Sequence, residues 1–397
     1  MSVRVGVAVA GAGMAGQAHA FGFRNATMHP ALAGVRVDLA AVVDPNLSLA
    51  EPVAERFGFA RATGDLDDVL GDPAIDAVSL ALPNFAYADV IPRVLAAGKH
   101  VLAEKPLGRS AAEAHRFATA ADAAGVVHAV DHSWLRAPAV EAIARIVEEG
   151  RIGRIRHASA WYLAEYAASP DTPLSWRYDA QRAGGGAIAD LGAHVIAVLE
   201  RVAGPFRRVL AADVRTLIAE RPVPAGPSVG HGRGEVTGTT GRVTNDDVAS
   251  MLLELRDGGS ATVMISRIAS GEANSLGFQL VGSAGSVAFE SLHPDELQLY
   301  TRALDGAERN GPRRVVAGPL HPYFADTMPM PTAGLGSGYG ALFIAHVQAF
   351  LRAIVAGEPV ASDFWAGHRV MLVCDAVLRA AAGGAAVALD VPGGAAP

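Results

Sequence analysis

Three residues of this chain have the types and spacing to do chemistry on an alcohol: Lys105, Asp190 and His194. Lys105 lies in Glu104-Lys105-Pro106, where a short apolar run ends. Asp190 and His194 are four apart in a segment that begins Gly184-Gly185-Gly186, and on a helix that spacing puts both on one face. A carboxylate one turn from an imidazole can orient it and raise its basicity, which suits a general base near neutral pH. A lysine ammonium can stabilise the alkoxide that forms when such a base takes a hydroxyl proton. Each piece alone has a plainer reading. Glu104-Lys105 could be a solvated pair at a helix start, with Pro106 opening the helix, and Asp190 with His194 could be a structural pair.

An oxidation also needs a hydride acceptor. Gly11-Ala12-Gly13-Met14-Ala15-Gly16 follows a β-branched apolar run and precedes a helical stretch, the pattern that folds a backbone around a dinucleotide pyrophosphate. In a chain with 44 glycines the motif alone is weak, and its context strengthens it. Asp44 ends the next apolar run, where a carboxylate accepts from ribose hydroxyls. It stands further on than usual, an excess that a loop over Asn25–Gly34 absorbs. The same carboxylate repels a 2′-phosphate, and Pro45-Asn46 offers no arginine, so NAD is favoured over NADP. Arg56 or Arg61 folding back would leave NADP open.

The elements that must position these residues alternate. Val3–Ala10, Val35–Val43, Ile75–Leu82, His100–Ala103 and Val126–Val130 read as strands, with a shorter one near Ala60–Thr63. Tyr87–Ala97 and Ala111–Ala124 read as helices closed by Gly98 and Gly125. That is a parallel sheet covered by helices, a dinucleotide-binding Rossmann domain over residues 1–131. From residue 132 to 397 the pattern is α+β. A helix over Pro138–Glu149 precedes hairpin-like strands at Ile155–Tyr162, Val209–Arg215, Val248–Leu255, Ser260–Ser266, Ser275–Val281, Ser286–Phe289 and Leu297–Thr301. Gly226–Gly241 and Pro319–Gly340 read as loops, and Ala341–Ala356 and His368–Ala382 as helices.

Composition narrows the functions. Hydrophobic residues make up 51% and charged ones 18%, as in ordinary globular proteins. A net charge of −7 and the lack of any Lys/Arg-rich run argue against a nucleic-acid partner. Val5–Phe23 is uncharged, yet its five glycines, Gln17 and His19 fit a nucleotide-binding turn better than a membrane span, so neither a membrane segment nor a signal peptide is expected. The lone Cys374 excludes an internal disulfide and points to a reducing cytoplasm. His231, Asp246 and Asp247 lack ligand spacing, and no metal is expected.

Taken together, these segments resemble the Gfo/Idh/MocA oxidoreductases along nearly the whole chain. The likeness rests on the glycine turn, Leu82-Pro83-Asn84, the segment ending in Glu104-Lys105-Pro106-Leu107, Ser175-Trp176-Arg177, and the triple glycine through His194. It implies a Rossmann domain followed by an open-faced, mainly antiparallel sheet, assembly through that sheet, and oxidation or reduction at a sugar or cyclitol carbon near Lys105 and His194. Cofactor contacts are expected from Gly11, Gly13, Met14, Ala15, Gly16, Asp44, Leu82, Pro83, Asn84, Glu104 and Lys105. Two departures stand out. Tyr87 replaces a frequent family histidine, and Asp131–Arg136 does not follow the usual Asn/Arg pattern.

The expected substrate is small and polyhydroxylated, bound by Lys105, Trp161, Trp176, Arg177, Asp190 and His194, although Trp161 also fits a core or interface role. Two other readings remain open: an enzyme that keeps NAD bound and oxidises a ring carbon transiently to cleave a glycoside, and a non-catalytic NAD sensor. A sheet with one uncovered face predicts a homodimer or homotetramer, with Ala261, Val263 and Ile265 on the exposed side.

Overall fold

The computed structural model describes residues 3–226, 235–302 and 310–389. The described residues form two compact units, one drawn from the ranges 1–136, 327–332 and 338–368, the other from 137–326, 333–337 and 369–397.

The first unit holds six parallel strands: β1 (Val3–Ala10), β2 (Val35–Val43), β3 (Arg61–Thr63), β4 (Ala77–Leu80), β5 (His100–Glu104) and β6 (His128–Asp131). Their order is β3-β2-β1-β4-β5-β6, so the winding reverses between β1 and β4. The crevice at the carboxyl ends beside such a reversal is where doubly wound sheets bind ligands. The strands read as continuous apolar runs because helices cover both faces; Val7, Val9, Val78, Leu80, Val101 and Leu102 are fully buried. Helix Ala111–Ala124 starts where the Ser110 hydroxyl accepts from the Glu113 amide and stops at left-handed Gly125. Its start at Ala111 removes the alternative in which Pro106 opens a helix.

The helix Tyr339–Ala356 also belongs to this unit, rather than to a second domain running unbroken from residue 132. It packs on helix Met14–Asn25 at Gly22, where a Cβ would come within 2.8 Å of Val347. Val347, Phe350 and Leu351 join Val5, Val7, Val9 and Phe23 in one core. An apolar helical face declares that it will be buried but not against what.

In the second unit, nine strands run in the order β16-β15-β14-β13-β7-β12-β11-β8-β17. They are β7 (Ile155–Ala164), β8 (Phe206–Arg215), β11 (Val248–Leu255), β12 (Ser260–Ser266), β13 (Asn274–Gly282), β14 (Gly285–Glu290), β15 (Glu296–Thr301), β16 (Arg313–Val316) and β17 (Val387–Ala388). All pairings are antiparallel except β7 with β12. Helices Pro138–Glu148 and Ala193–Ala203 pack on one face.

Two expectations fail here. Part of the expected loop Gly226–Gly241 is strand: β10 (Val236–Arg242) pairs antiparallel with β9 (Glu220–Pro224). The Thr-rich β10 is largely exposed, so no inside–outside alternation marks it. The rest of that segment, residues 227–234, lies outside the described residues. The second failure is the face of β12: Ala261, Val263 and Ile265 are buried, while Met264 is 47% exposed and Leu252 on the neighbouring β11 is 38% exposed. Alternation separates a strand's two faces, but the helices decide which one is covered.

Candidate active site

In the first unit the turn after β1 is built around its glycines. Gly11 has φ +104°, and a Cβ there would fall 2.3 Å from the Ala81 carbonyl oxygen. A Cβ on Gly16 would fall 1.8 Å from the Gly11 carbonyl oxygen. Gly13 differs: nothing lies within 4 Å of its missing side chain, and no side chain caps the helix it starts. The first turn of Met14–Asn25 therefore presents unblocked amides beside open space at Gly13, Met14 and Ala15, which suits a pyrophosphate. Asp44 leaves the end of β2 and accepts from the Ala12 amide (3.0 Å) and the Asn46 amide (2.9 Å), so its carboxylate stands against the turn. Arg56 is engaged with Gln17 Oε1 at 2.8 Å, and Gln17 in turn donates to the Ala12 carbonyl. The excess length before Asp44 is taken up by two short 3-10 turns, Ala26–Met28 and Pro30–Leu32.

Leu82, Pro83 and buried Asn84 follow β4, and Glu104 closes β5 with Lys105 directly after it. Glu104 Oε2 accepts from the Lys105 amide at 3.1 Å. Tyr87 is wholly buried and donates its hydroxyl to the Leu80 and Glu104 carbonyls, both at 3.1 Å. At this departure from the family pattern, the side chain pins two strand ends together.

The chain's pattern did not single out what lies behind Glu104. Buried His19 places Nε2 3.2 Å from Glu104 Oε1 and 3.1 Å from Asp131 Oδ2, with Nδ1 2.5 Å from Ser79 Oγ. Burial opposes the charge, but hydrogen bonds to Asp131 and Glu104 and their negative charges outweigh it and hold His19 at about 9. Burial first, and then the Glu104 charge, push the Asp131 carboxyl up, against the pull of His19 and Lys105. These three donors are the one set among the described residues spaced closely enough for a metal ion. Their 3.1 and 3.2 Å separations are those of hydrogen bonds to an imidazolium.

In the second unit Asp190 and His194 do not share a plain α-helix. Ile188–Gly192 is a π-helical turn, and the α-helix Ala193–Ala203 begins after Asp190. The wider turn changes the relation that four-residue spacing implies, and such turns recur at functional sites. Asp190 Oδ2 accepts from the Tyr166 hydroxyl at 2.6 Å. His194 is buried, its ring 5.8 Å from that of Tyr162. The turn is held from a distance: Asp246 accepts from the Gly186 amide (2.6 Å) and the Ile188 amide (2.8 Å). A Cβ on Gly186 would lie 2.0 Å from the Asp246 carbonyl oxygen. Asp246, set aside above for want of ligand spacing, thus anchors the segment that carries Asp190.

Of the expected substrate residues, Trp176 and Arg177 form a 3-10 turn with the guanidinium 4.5 Å over the indole. Trp161 is not brought together with His194. Its neighbour Tyr162 points to the covered face, and Trp161 lies on the other, over Gly277 and donating to Ser275 Oγ at 3.3 Å.

Comparison with known proteins bears on both units. The description "Oxidoreductase family, NAD-binding Rossmann fold" matches residues 5–132, and "GFO/IDH/MocA C-terminal domain" matches residues 140–288. A levoglucosan dehydrogenase of Pseudarthrobacter phenanthrenivorans is 36% identical over 382 residues, 95% of this chain and 96% of the relative. A 1,5-anhydro-D-fructose reductase of Ensifer adhaerens is 35% identical over 141 residues, 36% of this chain and 41% of the relative. Among solved structures, a levoglucosan dehydrogenase in complex with NADH and levoglucosan matches with a TM-score of 0.89 at 33% identity, over 98% of this chain and 100% of that one.

Proposed function

We propose, for a chain that belongs to the Gfo/Idh/MocA family of NAD-binding oxidoreductases, that it oxidises a secondary hydroxyl of a monosaccharide, anhydrosugar or cyclitol, with anhydrosugars first in order. The observation that carries this reading is the end-to-end likeness to a levoglucosan dehydrogenase, which spans both units instead of the cofactor domain alone. NAD supplies the hydride acceptor. The residues that would hold it are the open Gly13–Ala15 turn for the pyrophosphate and Asp44 for the ribose hydroxyls, and both fit.

In the proposed reaction His194 takes the hydroxyl proton and the Lys105 ammonium stabilises the developing alkoxide. NAD, when bound, would accept hydride from the same carbon, so that the overall change would give a ketone, NADH and a proton. Asp190, held by Tyr166, positions His194 or a neighbouring hydroxyl. Trp176 and Arg177 offer an aromatic face and a cation for a hydroxylated ring. Trp161 is assigned to the open sheet face, where a second copy of the chain would pack to make a homodimer or homotetramer.

The test is steady-state NADH formation by purified protein with NAD and, separately, NADP against levoglucosan, free sugars and inositols. Sustained NADH production that is fastest with an anhydrosugar is the expected result. Bound NAD turning over without net NADH would move the assignment to transient ring oxidation. No turnover with any of these compounds would leave only the NAD-binding reading.

A further inference from the structure

His19 comes from the helix after the glycine turn, Glu104 from the end of β5 and Asp131 from the end of β6. One imidazole thus ties the cofactor helix to two strand ends at the crevice edge. The side chain is fully buried and meets a carboxylate oxygen from each strand at 3.1–3.2 Å. The buried Asp131 carboxylate and the part-buried Glu104 carboxylate beside a neutral imidazole would leave two uncompensated charges, a costly arrangement away from bulk solvent. With His19 protonated the triad carries one net negative charge, and the Lys105 ammonium lies close enough for its charge to act on Asp131. Glu104 is bound at both carboxylate oxygens, one to His19 and one to the Lys105 amide.

We propose that the buried His19–Glu104–Asp131 triad is a positioning device for Lys105: it fixes the backbone at the end of β5 and supplies the net negative charge that keeps the lysine an ammonium. The proposal rests on Lys105 acting in the oxidation described above. The other polar and charged groups packed around the triad are accounted for. Ser79 on β4 meets His19 Nδ1, and the Tyr87 hydroxyl bonds the Glu104 carbonyl. His346, on the helix Tyr339–Ala356, has Nδ1 3.8 Å from Asp131 Oδ1. It is held neutral by burial and by the nearby charges of Arg136, His132 and His19, so it does not cancel the triad's charge.

The test has two arms on the intact protein. Nitrogen NMR of labelled histidines, with His19 assigned through His19→Gln, should show both ring nitrogens protonated at pH 8; titration near the ordinary value of 6.5 would overturn the proposal. This arm needs no turnover, so it stands even if no substrate is found and the oxidation reading fails. In the second arm, Asp131→Asn takes the triad from one negative charge to none. The alkaline limb of the kcat/KM profile should then move down by about one pH unit, with NAD affinity within about twofold of wild type. The double variant His19→Gln/Asp131→Asn returns the net charge to −1 and should bring the limb back. A purely structural role would lower activity equally at every pH and would not be rescued by restoring charge, and either outcome overturns the proposal. Activity abolished by EDTA and restored by Zn²⁺ would also overturn it, giving the three groups to a cation.

Discussion

The chain has two glycine-rich segments that open a helix, and they do opposite things. At Gly11–Gly16 the crowding is close at hand: Gly16 packs on Gly11, Gly11 on the neighbouring strand end, and the space in front of Gly13 is empty. At Gly184–Gly186 the crowding comes from a distant part of the chain, as Asp246 presses its carbonyl on Gly186 and takes the amides of Gly186 and Ile188. The first helix start is left open for an anionic ligand, while the second is already occupied by the protein's own carboxylate. A glycine-rich helix start is a binding site only when its amides are unclaimed, and that is a tertiary fact.

On the proposed reading the first segment binds the cofactor and the second positions catalytic groups, so perturbations should separate by unit. The largest effect is expected from His194→Ala or Lys105→Met. Turnover should drop about a hundredfold to ten-thousandfold, with the NAD affinity of His194→Ala nearly unchanged. Stopped-flow NADH formation checks this, and near wild-type turnover in His194→Ala would return that residue to structure. Asp246→Ala comes next. Two buried amides lose their acceptor, so unfolding free energy should fall by about 3–4 kcal/mol in denaturant titration while NAD still binds. A variant that loses NAD binding instead would break the division of labour between the two turns.

The pH dependence of stability is of similar size. His19 is raised from 6.5 to about 9, so its contribution is fully present below pH 6.5 and is lost as pH rises through 9. The loss should be roughly 3 kcal/mol by calorimetry or chemical denaturation, and His19→Gln should flatten it. Asp131, raised by burial, contributes in the same sense: stability falls as its carboxyl ionises. Asp44→Ala should raise the NAD dissociation constant roughly tenfold to a hundredfold, from the loss of about 1.5–3 kcal/mol of charged hydrogen bonding, and affect NADP less. Equal small effects on both cofactors would take Asp44 away from the ribose. The smallest change in fold stability is expected from Met264→Asp on the open sheet face, under about 0.5 kcal/mol, yet it should shift light scattering from oligomer to monomer. Val263→Asp, which buries a carboxylate, should unfold the second unit instead.

Wherever the controlling interactions are local in the chain, the elements follow from the residues. β2, β11, β12 and helix Ala111–Ala124 fall at the boundaries that apolar pattern and caps imply, and the glycine turn is recognisable because each glycine's reason lies within a few residues or on the adjacent strand. Lys105, Asp190 and His194 stand out as chemistry-bearing types for the same reason: type and spacing are written in the chain. What they touch is not. Tyr166 reaches Asp190 from the end of β7, Asp246 reaches the π-helical turn across 58 residues, and His19 meets Asp131 over a still longer separation. Alternation along β12 sorts residues into two sets, but only the helices laid on the sheet determine that Val263 is inside and Met264 outside. The amino-acid order by itself determined β2, β11, β12 and the cofactor turn, and marked which side chains are of reactive type, because periodicity and backbone sterics act over a few residues. The covered face, the anchored turn and the buried triad were decided only by tertiary structure, because burial and paired charge depend on what the rest of the chain brings alongside.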